Sequence, residues 1–476
     1  MDRKITPEST SAIVQTLKGK RPLLLQRFKG IVATPSDGDT YKVERWATNA
    51  IQQAAYVVFP TDAEDISIAI LFARQERLPL AISGGRHNAA GSSSSKGGLV
   101  IDMRYMYSVR VDMERKIGYI QGGTTSRHAL SELNRYRLAT TVGLCGAVGV
   151  IGVATGGGIG FSTGQYGLAC DNIVSATVVV ASGEIIQVDE STNSDLLWGI
   201  KGGGSNFGVI AELGMRLHEP RTDVYYLECL YLPEKLPVLV AELNAWFEGQ
   251  TPQESLTLAF VRGPHDGNPY IMLSGVASLS LEAGESHWDR FQKLGPAVTK
   301  SKQITYHAMS SLHDFACELP GAKVMAGAHF NSFTYETVQK TYDIWLRATL
   351  IGPSSLVMYE LWEYTNVSKV PIEATAFSQR TTDKIALIAI MGMADIPGAT
   401  KVCEELRISI SSSSTDSAKE SIGYLNYAQG PAADNATDAH ARKAFGANYP
   451  RLQALKRKYD PEMVFNKWFC IKPANA

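Results

Sequence analysis

Charge imbalance, a cysteine framework, internal repetition and the common nucleotide-loop signatures are all missing from this 476-residue chain. Lys and Arg number 46 against 47 Asp and Glu, a net charge of −1, so no basic footprint for nucleic acid exists. Its six cysteines (Cys145, Cys170, Cys229, Cys317, Cys403 and Cys470) are scattered without a Cys-x-x-Cys, which fits a reducing compartment. The N-terminus, Met-Asp-Arg-Lys-Ile-Thr-Pro-Glu, has no apolar signal region, and its acidic residues argue against a transit peptide; an intracellular location is expected. The histidines show no ligand spacing, so no metal site is expected. No Gly-Lys-Ser/Thr closes a P-loop, and no Gly-x-Gly-x-x-Gly marks a dinucleotide fold.

What the chain does have is glycine, 42 residues of it, gathered into loops. The uncharged run between Arg137 and Asp171 carries Cys145 and glycines at 143, 146, 149, 152, 156, 157, 158, 160, 164 and 167. It is long enough to span a bilayer, but glycines and hydroxyls make it a poor membrane helix, so no membrane partner is expected. Glycine costs conformational entropy and is accepted where something approaches the backbone closely. Two further loops, Ser83-Gly-Gly-Arg-His-Asn-Ala-Ala-Gly91 and Asp195-Leu-Leu-Trp-Gly-Ile-Lys-Gly-Gly-Gly-Ser-Asn-Phe-Gly208, point to one extended ligand touched at several places. Backbone N–H groups in such loops can cradle a diphosphate.

Strand, helix and strand precede the first loop: Ala54–Phe59, a helix opened by a Thr61–Glu64 capping box, then Leu78–Ile82. Strands at Leu99–Met103 and Ile117–Gln121, a helix at Ser126–Arg135, and a hairpin over Ile173–Ala181 and Glu184–Val188 follow. After Pro220 the texture changes. Aromatic-rich strands (Tyr225–Tyr231, Leu256–Val261, Tyr270–Val276, Val357–Tyr364, Ile385–Met393) alternate with helices at Pro237–Phe247, Glu282–Leu294, Tyr335–Leu350 and Thr400–Ser411. A last helix is expected at Ala439–Lys458. The fold class is α+β, with a lead-in over residues 1–50, a ligand-binding domain over 51–219, a second domain over 220–422 built as an antiparallel sheet with helices, and a terminal segment over 423–476.

On spacing alone, His87 reads either as a functional nucleophile or as a backbone-bonded loop histidine, and Cys145 either as a reactive thiol or as a small buried hydrophobe.

The three glycine loops, in this order, together with Tyr424-Leu-Asn-Tyr427 and Asn448-Tyr-Pro-Arg-Leu452…Lys456…Tyr459-Asp-Pro461…Val464-Phe465, resemble the berberine-bridge-enzyme-like branch of the vanillyl-alcohol-oxidase (PCMH-type) flavoproteins over nearly the whole chain. The resemblance implies an FAD-binding domain built from both chain ends and a central substrate domain. It implies covalent FAD, with His87 bonded to the 8α-methyl carbon and Cys145 to C6. It also implies a cofactor-binding set of Ser83, Gly84, Gly85, Arg86, His87, Asn88, Gly91, Cys145, Val148, Gly149, Gly152, Gly156, Gly157, Gly160 and Val209. Arg86 stands where the family usually has glycine, and Cys470 where it usually has asparagine.

Val148 matches the position that gates oxygen, and as valine it resembles oxidases. Tyr427 matches a base near flavin N5; Glu360 and Tyr364 are further catalytic candidates on the same implied strand. Some relatives use a glutamate before Phe-Pro-His-Arg; here Phe377-Ser-Gln-Arg380 is preceded by Val367-Ser-Lys369, without an acid, so that mechanism is disfavoured. The implied activity is transfer of hydride from a small organic substrate, a specialised-metabolite intermediate or an alcohol or sugar, to FAD, with O2 reduced to hydrogen peroxide. The alternatives are a flavin dehydrogenase with another acceptor, an oligosaccharide oxidase of the secreted type, and a flavin-binding protein without turnover.

Overall fold

Three sheets organise the chain in a computed structural model that describes residues 24–220, 223–317, 319, 321–393, 395–412, 422–427 and 438–475. The first holds Ile31–Ala33 (β1), Tyr56–Phe59 (β2), Leu80–Ser83 (β3) and Leu99–Asp102 (β4), in the order β1-β2-β4-β3. Strands β2 and β3 run parallel to β4, and helix Ala63–Gln75 makes the crossover between β2 and β3. The cap of this helix is Asp62, which accepts the Asp65 N–H, rather than the Thr61–Glu64 box. Asp65 instead turns its carboxylate back to the Thr61 N–H and hydroxyl, at 2.9 and 2.8 Å. The loop Ser83–Gly91 leaves the carboxyl end of β3, the usual place for a ligand in such a sheet.

The second sheet holds Val109–Asp112 (β5), Ile117–Gln121 (β6), Ile173–Val179 (β7), Ile185–Asp189 (β8) and Val209–Arg216 (β9), antiparallel, in the order β5-β6-β9-β7-β8. Val179, Val209 and Ala211 pack against Val58, Ile66 and Ile101, so the first two sheets share one core.

The third sheet holds Val224–Tyr231 (β10), Glu254–Arg262 (β11), Pro269–Ala277 (β12), Val298–Ile304 (β13), Ala322–Phe330 (β14), Leu356–Leu361 (β15) and Lys384–Met393 (β16). Its order is β13-β10-β12-β11-β15-β16-β14, antiparallel throughout. Side chains alternate across such a sheet. One face (Leu258, Phe260, Val357, Tyr359, Ile388, Ile390) is buried with helices Leu236–Phe247, Leu281–Gln292, Tyr335–Ala348 and Ile396–Ser411. The opposite face (Ala259, Leu356, Met358, Ala389, Met391) turns toward the glycine-rich run.

The apolar-run criterion does not find β1, β5, β13 or β14. Strand β13 is a lysine-bearing edge exposed along almost its whole length, so it has no inward apolar pattern. Strand β14 is rich in Ala and Gly, poor strand formers that take this shape because β16 pairs with them. The expected helix over 439–458 is two helices, Asp438–Phe445 and Tyr449–Tyr459, broken at Gly446 (φ +50°) and restarted with Pro450 in the first turn. In the lead-in, residues 24–27 form a single 3-10 turn before β1, and the first 23 residues lie outside the described residues.

The terminal segment is bolted to the third glycine loop. The fully buried Lys456 ammonium donates to the Asn206 carbonyl (2.7 Å), to Asp460 (2.6 Å) and to the Phe465 carbonyl (2.6 Å). No described helix is long and apolar enough to cross a membrane.

Candidate active site

The first glycine loop and the long glycine run touch at Gly85 and Gly149. A Cβ on Gly85 would stand 2.1 Å from the Gly149 nitrogen, and one on Gly149 would stand 2.6 Å from the Gly85 nitrogen, so both positions require glycine. Beside this contact lies a cavity of about 220 Å³. The first loop lines it with Gly84, Gly85, Arg86, His87 and Asn88, the long run with Val148, Gly149 and Gly152, and the third loop with Gly204, Ser205 and Gly208. Arg86 holds φ +65°, a left-handed conformation rare outside glycine. Burial and the neighbouring Arg104 push its guanidinium below the usual range, which marks a cation partly stripped of water on the cavity wall.

A second cavity, about 160 Å³, adjoins the first: His87, Val148, Val153 and Asn426 line both. His87 stacks on Trp46, ring centroids 5.2 Å apart, and the Trp46 N–H holds the Arg86 carbonyl at 3.1 Å. Burial, then Arg86 and Lys323, push the imidazole down to about 4, so at neutral pH it is uncharged and has a nitrogen lone pair to offer.

The terminal segment closes this cavity. The Tyr424 hydroxyl accepts the Gly158 and Ile159 N–H groups (2.8 and 3.1 Å), and Asn426 Nδ2 donates to the Val153 carbonyl (3.0 Å). Gly327 of β14 lets this segment lie on the sheet, since a Cβ there would meet the Tyr424 nitrogen at 2.9 Å and the Tyr427 Cβ at 3.2 Å. Tyr427 is thereby placed to donate its hydroxyl to Glu360 Oε1 at 2.5 Å. Glu360 is fully buried and Oε2 has no hydrogen-bond partner among the described residues; burial raises the carboxyl to about 8, against a smaller opposing effect of the Tyr427 bond. Burial and the Glu360 charge hold Tyr427 well above 10. Tyr364 lies close enough to feel the same carboxylate, but it backs Glu360 and does not line either cavity.

Cys145 lines the second cavity, and in this structure it is neither an isolated thiol nor a plain apolar side chain. Its sulfur is bonded to that of Cys317, 172 residues away, with Cα atoms 6.5 Å apart. The spacing of the cysteines gave no sign of this pair, because the short helix Asp314–Cys317 reaches Cys145 only through tertiary packing. Arg127 secures that packing: its N–H bonds the Gly146 carbonyl at 2.9 Å and its guanidinium pairs with Asp314 at 2.5 Å.

Several residues of the expected cofactor set lie off both cavities. The Ser83 hydroxyl is turned to Asp102 (3.3 Å). Gly91 turns the loop at φ +87°, and Gly157 at φ +115° packs on Phe377. Gly156 lies beneath Asn426, and the Gly160 carbonyl accepts the Trp362 indole N–H at 2.9 Å. Val209 points into the core shared by the first two sheets, whereas Gly208 and Ile210 on either side of it face the cavity, as strand alternation requires. Residues missed from sequence are Trp46, His313, Cys317, Met325, Met358 and Met391 on the second cavity. Of these, Met358 was accessible: it lies two positions before Glu360 on an expected strand and so on the same face. No group of three or more His, Cys, Asp or Glu suited to a metal ion occurs among the described residues.

Comparison with known proteins gives the site its context. A family model described as an FAD binding domain matches residues 54–189, and one described as berberine and berberine like matches residues 423–468. The chain is 32% identical over 464 residues to the FAD-linked oxidoreductase pgmH of Aspergillus terreus, covering 91% of each chain. Among solved structures it shares the fold of 6-hydroxy-D-nicotine oxidase from Arthrobacter nicotinovorans (TM-score 0.80, 23% identity, 94% of this chain and 98% of that one). It also shares the fold of the glucooligosaccharide oxidase of Acremonium strictum, which carries a 6-S-cysteinyl, 8α-N1-histidyl FAD (TM-score 0.78, 20% identity, 98% of this chain and 100% of that one).

Proposed function

We propose that this chain, which belongs to the berberine-like FAD-linked oxidoreductases, is an oxidase in which Tyr427 and Glu360 together take the substrate proton. The observation that carries this reading is the pair of adjoining cavities, with His87 and Val148 lining both and Tyr427, its hydroxyl on Glu360, lining the second. The residues fit FAD: a glycine-walled cavity with a guanidinium suits a diphosphate, and an apolar cavity opening from it suits a flat ring. On this reading residues 51–219 and 423–476 hold the cofactor, and residues 220–422 supply the facing wall, after a lead-in of residues 1–50.

When bound, FAD accepts hydride and passes the electrons to O2, which leaves as hydrogen peroxide. The protein's part is proton transfer. A free Tyr427 phenolate would be costly in this buried setting. The substrate hydroxyl therefore gives its proton to the Tyr427 oxygen as the Tyr427 proton moves to Glu360 Oε1, and no bare phenolate forms. Val148, at the junction, is the residue expected to govern oxygen access.

His87, kept neutral by burial, is the residue for the 8α link. Cys145 is the residue for the C6 link, and it can serve only while its bond to Cys317 is open, since a disulfide sulfur carries no thiolate. The Acremonium strictum relative supports this pairing of a histidyl with a cysteinyl link.

The test is acid denaturation of the purified holoprotein, followed by peptide mass analysis. Flavin retained on the His87 peptide, and on the Cys145 peptide after loading under a dithiol reductant, is the expected result, with peroxide formed on turnover in air. Complete release of the flavin refutes covalent attachment, and turnover without peroxide refutes the oxidase.

A further inference from the structure

The register of the third sheet fixes which side chains face the second cavity. Paired residues form rows across β14, β16, β15 and β11: Met325, Ala389 and Leu356 in one, then Gly327, Leu387, Met358 and Ala259 in the next. Polar side chains flank these two rows. Beyond the second lies His329, Ile385, Glu360 and Thr257; before the first lies Lys323 with Met391. Lys323 is already committed, since its ammonium donates to the Trp46 and Gly321 carbonyls at 2.7 and 3.0 Å. The floor of the second cavity is thus apolar from edge to edge, and no Asp, Glu, Lys or Arg lines that cavity among the described residues.

Resting on the reading of Tyr427 as the base, we infer that the substrate is an uncharged aromatic alcohol that presents its carbinol hydroxyl to Tyr427, and not a saccharide. A sugar carries a hydroxyl on nearly every carbon, and each one pressed against the Met325–Leu356 and Met358–Ala259 rows would lose water without gaining a partner. Each such loss weakens binding about ten-fold or more. An aromatic ring loses nothing there and gains contact with the thioethers of Met325, Met358 and Met391, groups that favour ring edges and adapt to ring shape. Tyr427, which lines the cavity and donates its hydroxyl to Glu360 behind it, then fixes the orientation of the substrate hydroxyl.

The experiment uses FAD-loaded protein without oxygen, with 2-naphthylmethanol and cellobiose as probes. Binding is read from perturbation of the flavin absorption, and reaction from its bleaching. The expected result is saturable perturbation and bleaching by 2-naphthylmethanol, and neither by cellobiose at ten times the concentration. Met358→Gln is expected to weaken binding of the aromatic probe ten-fold or more with flavin content unchanged, and Met358→Leu to stay within about three-fold of the parent. Met391→Gln repeats the test if the first variant does not hold flavin. Tighter binding of cellobiose, binding of neither probe, or indifference to both glutamine variants overturns the inference. Bleaching by cellobiose alone would do so while leaving the oxidase intact. Binding of 2-naphthylmethanol without bleaching at any pH supports the substrate class and refutes the proposed base instead.

Discussion

Replacing Glu360 by glutamine should make the protein slower and, in alkaline solution, more stable. The fully buried carboxyl is raised from 4.5 to about 8, chiefly by loss of water around it. Such a carboxyl binds its proton more tightly in the folded than in the unfolded chain. Its stabilising effect is therefore complete below pH 4.5 and drains away as pH rises to about 8, where the folded group ionises. At 1.36 kcal/mol per pH unit the whole loss is on the order of 5 kcal/mol. Glu360→Gln cannot lose a proton, so its stability relative to the parent should climb across that interval and level off above it. Urea unfolding at a series of pH values measures the difference directly. Activity should move the other way. In the parent, flavin reduction should rise ten-fold per pH unit and flatten near pH 8, as Glu360 becomes able to take the Tyr427 proton. In the variant it should be flat, and about 10²- to 10⁴-fold below the parental plateau. A variant that keeps the parental rise in rate, or a stability difference that does not change with pH, would refute the assignment of the buried charge to Glu360.

Tyr427→Phe should slow flavin reduction by about 10²-fold or more while leaving aromatic ligand affinity within a few fold, because the ring and its contact with Gly327 remain; anaerobic stopped-flow measurement separates the two effects. Cys317→Ala should raise the fraction of flavin bonded to Cys145 in protein loaded without reductant, since the competing sulfur is gone; peptide mass analysis reads the fraction, and an unchanged value would mean that the disulfide does not compete with the link. Lys456→Met should destabilise by about 3–5 kcal/mol, because Asp460 is left as a buried carboxylate without its cation; the urea midpoint reports it.

How far the chain could be read before its structure was seen differed between loops and sheet. The glycine loops were legible because their chemistry is local: Gly85 and Gly149 admit no side chain, and His87 and Val148 occupy the same loops. Gly91, Gly156, Gly157 and Gly160 also serve turns and packing against Asn426, Phe377 and Trp362, roles that depend on distant partners and leave no mark in local spacing. Tyr427 and Glu360 were each visible, yet their contact was not. It depends on β14, a strand whose three alanines give no strand signal and whose one glycine, Gly327, seats Tyr427 on the sheet. The Cys145–Cys317 bond lay beyond reach for the same reason, being decided by how helix Asp314–Cys317 docks on the glycine-rich run.

That division has a mechanical consequence for how such a site can change. At the first cavity Gly85 and Gly149 meet backbone to backbone, so almost any side chain added at either collides with the opposing loop, and that contact tolerates little variation. The facing floor is walled by side chains on β11, β15 and β16, each paired on both sides, and on the edge strand β14, with helices beneath the sheet. Exchanging Met358, Leu387 or Met325 there alters the shape and polarity offered to a substrate without moving the strand that carries Glu360. The register even limits the means of doing so. A one-residue slip of β15 would turn Val357 and Tyr359 toward the cavity and bury Met358 among the helices, taking Glu360 away from Tyr427 at the same time. The polarity of the floor can therefore drift by point substitution along the two apolar rows, while the Tyr427–Glu360 hydrogen bond survives only as long as the register does.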